Sequence, residues 1–280
     1  MELSFAVTFA VLGAALLHAA WNAMIKAGGD PLLNMALVTF AGSVLASLLA
    51  LALQIPPPVP AAWPYIAAST VIHIGYYVTL AGAYRAGDLS HGYPIMRGTA
   101  PLLTALATWL YLGEALAPGA WAGVLLICGG VLSLGLVGGG ASRRATAWAL
   151  ANAVLISLYT LADGAGVRIS GDALRYVVWV FVVHAVPFWL GVLVLKRGEF
   201  LRHAARNWPR GFAAGAFSGL AYGIALWAMT RAPVAVVAAL RETSVIFGAL
   251  IGAWFLGEGH LKARVAGAVI VFAGLVALRF

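Results

Sequence analysis

Apolar runs of membrane-spanning length follow one another through the 280 residues with only brief interruptions. A run of about 18 or more apolar residues is long enough to cross a bilayer as a helix. In hydrocarbon the backbone must satisfy its own hydrogen bonds, so only helices or a closed barrel can span. A barrel needs short segments of alternating polarity, and these are absent. The chain is 63% hydrophobic and 9% charged, against about 25% charged in soluble domains. It reads as an all-α polytopic membrane protein.

Ten transmembrane helices are predicted, at roughly 5–25, 31–53, 62–84, 88–111, 118–138, 145–165, 174–195, 211–230, 234–256 and 261–278. Asp30-Pro31, Gly87-Asp88, Ala117-Pro118 and Ala232-Pro233 are turn or helix-start signals. Ile55 to Pro60, IPPPVP, reads as a stiff extended connector. Lys196 to Arg210 reads as a basic connection anchored beside lipid headgroups. No connection is long enough for a soluble catalytic domain.

The sequence repeats itself. Arg97 to Glu114 reads RGTAPLLTALATWLYLGE, and Arg241 to Glu258, 144 positions later (241 against 97), reads RETSVIFGALIGAWFLGE. Arginine, Thr99/Thr243, Ala105/Ala249, Leu106/Leu250 and the closing Leu-Gly-Glu coincide. At the same shift Gly75 meets Gly219, Ala122-Gly123 meets Ala266-Gly267 and Gly130 meets Gly274. Gly29-Asp30 meets Gly171-Asp172, and Lys26 meets Arg168, at a shift of 142 (168 against 26). The polar glycine run at Gly138-Gly139-Gly140 separates two halves, residues 1–140 and 141–280. Five spans is an odd number, so the second half enters the membrane upside down. The expected fold is two inverted five-helix repeats, a design of secondary transporters with the substrate site at the midplane between halves.

The net charge of +8 does not imply nucleic acid, because the basic residues gather at helix ends as interfacial anchors. Lys26, Arg85, Arg143, Arg144, Lys196, Arg197, Arg202, Arg206, Arg210, Lys262 and Arg264 fall after odd-numbered spans. Arg168, Arg175, Arg231 and Arg279 fall on the other side, and this bias puts both termini outside. Nothing basic precedes the first run and Glu2 is acidic, so a cleavable signal peptide is not expected. Cys128 is a single thiol in an apolar run, expected to be buried and inert.

Ten spans, two five-helix repeats and Leu112-Gly113-Glu114 and Leu256-Gly257-Glu258 closing the fourth span of each repeat resemble the drug/metabolite transporter superfamily, in its EamA-type branch. His18-Ala-Ala-Trp21-Asn22 is similar to a subset of that branch associated with phosphonate utilisation. The resemblance implies a multi-pass protein of a bacterial-type inner membrane with both termini in the cytoplasm, against the charge bias. It also leans towards export.

Arg97 and Arg241 lie about nine and seven residues into their spans, roughly 14 and 10 Å deep. Charges at such depth face protein, water or a ligand. They are expected to hold a carboxylate or phosphonate, one from each half; the alternative is snorkelling or an internal ion pair. Glu242 follows Arg241 and is matched by Gly98 in the first half. A carboxyl inside a span can take up and release a proton, so Glu242 is a coupling candidate. Asp163, with Tyr159 and Asn152 on its face, is a second proton site, a partner for an arginine, or a helix-end aspartate. His18, Trp21 and Asn22 share a face at i, i+3 and i+4, and His73, Tyr76 and Tyr77 form a similar patch. Both patches either line the substrate path or bond neighbouring helices. His184, before Pro187, is expected to be structural, as are Glu114 and Glu258 at span ends. Gly211, Gly215, Gly219 and Gly223 make a stripe for close helix approach.

No metal-ligand spacing, cofactor motif or catalytic constellation is present, and no GxxxxGK[ST] loop for ATP. The chain is expected to be a secondary active transporter, not an enzyme, working by alternating access. Its substrate is expected to be a small polar anionic or zwitterionic metabolite such as an amino acid or organophosphonate. A proton-coupled exporter of organic cations is the alternative, with aromatic faces at Trp21, Tyr76, Tyr77, Tyr159, Tyr222 and Trp227. The lipid bilayer and protons are its expected partners, and it is expected to be a monomer or homodimer.

Overall fold

Helix starts follow the local chemistry. Asp30 accepts hydrogen bonds from Leu32 N and Leu33 N, and Pro31 fills the first helical position. Ser142 and Asp172 cap two later helices in the same way. A computed structural model describes residues 4–26, 30–86, 89–137, 142–248 and 261–278. The helices are α1 (Phe5–Lys26), α2 (Pro31–Ala52), α3 (Trp63–Ala86), α4 (Leu89–Leu112), α5 (Pro118–Val137), α6 (Arg143–Ser170), α7 (Ala173–Val183), α8 (Val186–Leu195), α9 (Arg197–Met229), α10 (Val234–Arg241) and α11 (Leu261–Ala277). Six stretches among the described residues are long and apolar enough to cross a membrane: Phe5–Ile25, Pro31–Ala52, Pro118–Gly135, Arg143–Ser170, Ala173–Leu195 and Arg197–Met229. Ala266–Ala277 is a shorter apolar helix. Leu256-Gly257-Glu258 lies outside the described residues.

The packing is reciprocal between the halves. Helix α3 lies along α6, and its repeat counterpart α9 lies along α1. Helices α5 and α11 pack on each other through glycines related by the repeat. A Cβ at Gly123 would lie 2.9 Å from the Gly274 carbonyl, and one at Gly130 would lie 3.1 Å from the Gly267 carbonyl. Exchanging each residue for its counterpart turns the first contact into the second, so a pseudo-two-fold axis passes between α5 and α11. Cys128 is fully buried on α5, in a core that includes Ile127, Val131 and Val271.

Two segments differ from the sequence expectation, and a third breaks beside a proline. Lys196 to Arg210 is not a loop, because α9 begins at Arg197. Phe200 on this segment is buried with Leu33, Leu37 and Val192, and His203 Nε2 lies 2.8 Å from Asn34 Oδ1. Arg202, Arg206 and Arg210 stay exposed. An amphipathic face docked on α2 therefore makes the basic connection helical. The seventh span breaks at His184-Ala185, with Pro187 in the first turn of α8. The ninth span breaks at Glu242-Thr243 and resumes at 244–248.

Candidate functional site

The break in the ninth span carries no proline or glycine. Around it the bonds are of the i→i−3 kind: Glu242 N to Ala239 O at 3.0 Å, Thr243 N to Leu240 O at 3.1 Å and Val245 N to Glu242 O at 3.0 Å. Such a turn advances about 120° per residue, so Arg241 and Glu242 leave the backbone in different directions. Glu242 turns to α4, where its Oε2 lies 2.8 Å from Arg97 Nε and both side chains are almost wholly buried. Arg241 turns to α9, its guanidinium 5.4 Å from the centre of the Tyr222 ring. Among the described residues Arg241 has no ion pair, and Arg97 Nη2 has no hydrogen-bond partner.

Gly98 occupies the position that matches Glu242, and packing forbids a side chain there. A Cβ would lie 2.6 Å from Leu132 Cγ and 3.1 Å from the Cys128 carbonyl. The asymmetry between the halves is thus enforced by the close approach of α5 to α4.

Asp163 is not at a helix end. Helix α6 continues to Ser170, and Asp163 is fully buried. It pairs with neither arginine. Its carboxyl accepts from Ser69 Oγ at 2.8 Å, Tyr176 Oη at 2.9 Å and Tyr222 Oη. Tyr222 therefore touches Asp163 with its hydroxyl and Arg241 with its ring face.

A cavity of about 90 Å³ lies between the halves, enough for several waters. Nine of the side chains singled out in the sequence for the substrate path line it: His18, Trp21, His73, Tyr76, Tyr77, Arg97, Tyr159, Tyr222 and Arg241. Asn22 stands away from it, with its amide donated to the His18 carbonyl at 2.7 Å. Glu242 and Asp163 stand one layer back, behind Arg97 and Tyr222. Asn152, on the face of Asp163 and Tyr159, is fully buried, and its amide donates to the Tyr76 carbonyl and Thr79 Oγ1, both at 2.9 Å. It ties α6 to α3. His184, expected to be structural, lines the cavity, as do Thr39, Phe181 and Ser218. A histidine three residues before a proline, at a broken helix, was the available signal for His184. Thr39 and Ser218 carried none. No cluster of three or more metal-ligating side chains occurs among the described residues.

The sequence matches the EamA-like transporter family over residues 5–136 and again over 143–280. The chain belongs to that family. A solved crystal structure, whose title names no function, has the same fold at 20% identity and a TM-score of 0.78, covering 97% of this chain and 96% of its own. No curated protein matches.

In this EamA-like chain the first Leu-Gly-Glu has a mechanical explanation. Gly113 has φ +65°, a backbone conformation glycine adopts without strain. It lets the chain fold back, so that Glu114 N donates to the Thr108 carbonyl at 3.2 Å. Glu114 Oε2 then accepts from Val234 N at 3.0 Å, and its Oε1 pairs with Arg168. Arg168 also donates to the carbonyls of Met229 at 2.7 Å and Ala232 at 3.1 Å. The backbone amide that donates to Glu114 opens α10, in the other half. The EamA-like repeats are bolted together at this point.

Proposed function

We propose that the chain is a secondary transporter that carries a small polar metabolite with an anionic group through the cavity by alternating access. One observation carries this reading. Two arginines line the cavity; Glu242 is ion-paired with Arg97, and Arg241 lies over the face of Tyr222 with no ion pair of its own among the described residues. A cation in low-dielectric surroundings without a carboxylate partner favours an anionic ligand. A carboxylate or phosphonate would also reach the free Nη2 of Arg97. Glu242 and Asp163 are the proposed proton-coupling groups. An anion that draws Arg97 away would leave Glu242 buried without its counter-charge and ready to take a proton, which couples substrate and proton in the same direction.

The aromatic wall formed by Tyr76, Tyr77, Tyr159, Phe181 and Tyr222 favours a second reading, an organic-cation exporter. Binding of short carboxylates, alkylphosphonates and quaternary amines to purified protein separates the two. On the first reading the acids bind, and Arg241→Ala weakens them by about thirtyfold or more. Tight binding of quaternary amines that survives Arg241→Ala would overturn it. Uptake into sealed proteoliposomes with and without a proton gradient then tests coupling.

A further inference from the structure

The three histidines of the cavity differ in which nitrogen carries the proton. His73 Nδ1 lies 2.8 Å from the Ser69 carbonyl oxygen, and His184 Nδ1 lies 2.8 Å from the Val180 carbonyl oxygen. A carbonyl oxygen only accepts, so both Nδ1 atoms hold the proton and donate it. In the neutral rings Nε2 is then a bare acceptor. The two rings are 4.6 Å apart between centroids. Two imidazolium charges so close, in a cavity that already holds two arginines, would repel strongly. Neither Nε2 has a donor among the described residues, although both side chains are buried, at 7% and 6% exposure. Both rings line the cavity, where each bare acceptor is open to a donor from water or a ligand.

His18 is arranged in the opposite sense. Trp21 Nε1 lies 3.3 Å from His18 Nδ1. An indole N–H only donates, so Nδ1 accepts and the proton sits on Nε2. His18 is also within the field of both Arg97 and Arg241, and it joins them as a donor. The field of Arg241 reaches His73 as well, whereas the charged side chain whose field reaches His184 is Asp163. The wall beside the two acceptors is aromatic. Tyr159 stacks on His73 at 4.3 Å, and Phe181 meets His184 edge-on at 5.3 Å.

The cavity therefore has a donor end at Arg97, Arg241 and His18, and an acceptor end at His73 and His184. We propose that the acceptor end is a seat for a protonated amine, so that the substrate is a small zwitterion with its acid group on Arg241 and its ammonium shared by the Nε2 atoms of His73 and His184. This rests on the anionic reading above for one end of the ligand only. Lone pairs, π faces and the nearby Asp163 carboxyl all favour an ammonium there, and none of them favours a second acid.

The test is binding of three matched probe trios to purified protein by calorimetry: glycine, β-alanine and γ-aminobutyrate, each beside its desamino acid and its decarboxylated amine. The wild type is expected to bind one of the amino acids about tenfold or more tightly than its desamino acid. His184→Phe keeps the ring shape and removes the lone pair. It should abolish that preference, weakening the amino acid about tenfold more than the plain acid, and His184→Gln, which restores an acceptor, should recover part of it. Equal wild-type affinity for amino acid and desamino acid overturns the ammonium seat and leaves the anionic reading standing. So does an equal loss of both ligands in His184→Phe. Binding of the plain amine without the acid overturns the anionic reading instead, and binding of no probe at millimolar concentration overturns both.

Discussion

At the level of single residues, charge was the legible signal and shape was not. Arg97, Arg241 and Glu242 stood out because a charged letter in an apolar run has few affordable explanations. Tyr222 was visible only as one aromatic among many, since nothing in its neighbours marks the residue that joins Asp163 to Arg241. The ion pair of Arg97 with Glu242 predicts strongly non-additive substitutions. Arg97→Gln alone leaves a buried carboxylate without its counter-charge and should cost about 3–5 kcal/mol. Adding Glu242→Gln should restore most of that stability, and a double-mutant cycle of thermal unfolding in detergent measures the coupling. At Gly113, with φ +65°, alanine should cost about 1–2 kcal/mol through left-handed strain, read as a lowered unfolding temperature.

For whole elements, spacing predicted packing well and helix continuity poorly. The Gly211–Gly223 stripe was readable as a surface for close approach, and α2 takes that place: a Cβ at Gly211 would lie 2.4 Å from Leu37 Cγ, and one at Gly215 would lie 3.0 Å from Ala41 Cβ. The stripe is not uniform, because nothing lies within 4 Å of a Cβ at Gly219. Gly215→Leu should therefore destabilise by about 1–3 kcal/mol or more through overpacking. Gly219→Ala should be tolerated, and comparing the two unfolding temperatures checks the contrast. Pro187 signalled the break in the seventh span. The break at Glu242-Thr243 had no such marker, because tertiary partners on α4 and α9 stabilise a turn that local preference does not encode. The basic segment before Arg210 reads as a connection for a related reason: the face it docks is short, Phe200 and Ala204 with the polar His203, and becomes meaningful only against α2.

Across the whole molecule, the repeat was legible from glycines and from Leu-Gly-Glu, and the same letters describe two contacts. Gly123 against Gly274 and Gly130 against Gly267 place the symmetry axis between the ends of the two halves. Glu114 with Arg168 and Val234 fastens one half to the other. If that fastening holds the halves together, Glu114→Gln should lower the unfolding temperature, equivalent to about 1–3 kcal/mol. Arg168→Gln should do the same, and the double variant should cost little more than either alone. Every one of these comparisons needs a readout of unfolding that works in detergent and consumes little material. The protein supplies it. Its only thiol, Cys128, has no exposed surface in the folded chain, so a thiol-reactive fluorogenic dye stays dark until α5 is pulled away from its neighbours. A Cys128→Ser chain in turn offers a thiol-free background, in which a single cysteine placed anywhere along the transport path can be labelled without a competing site.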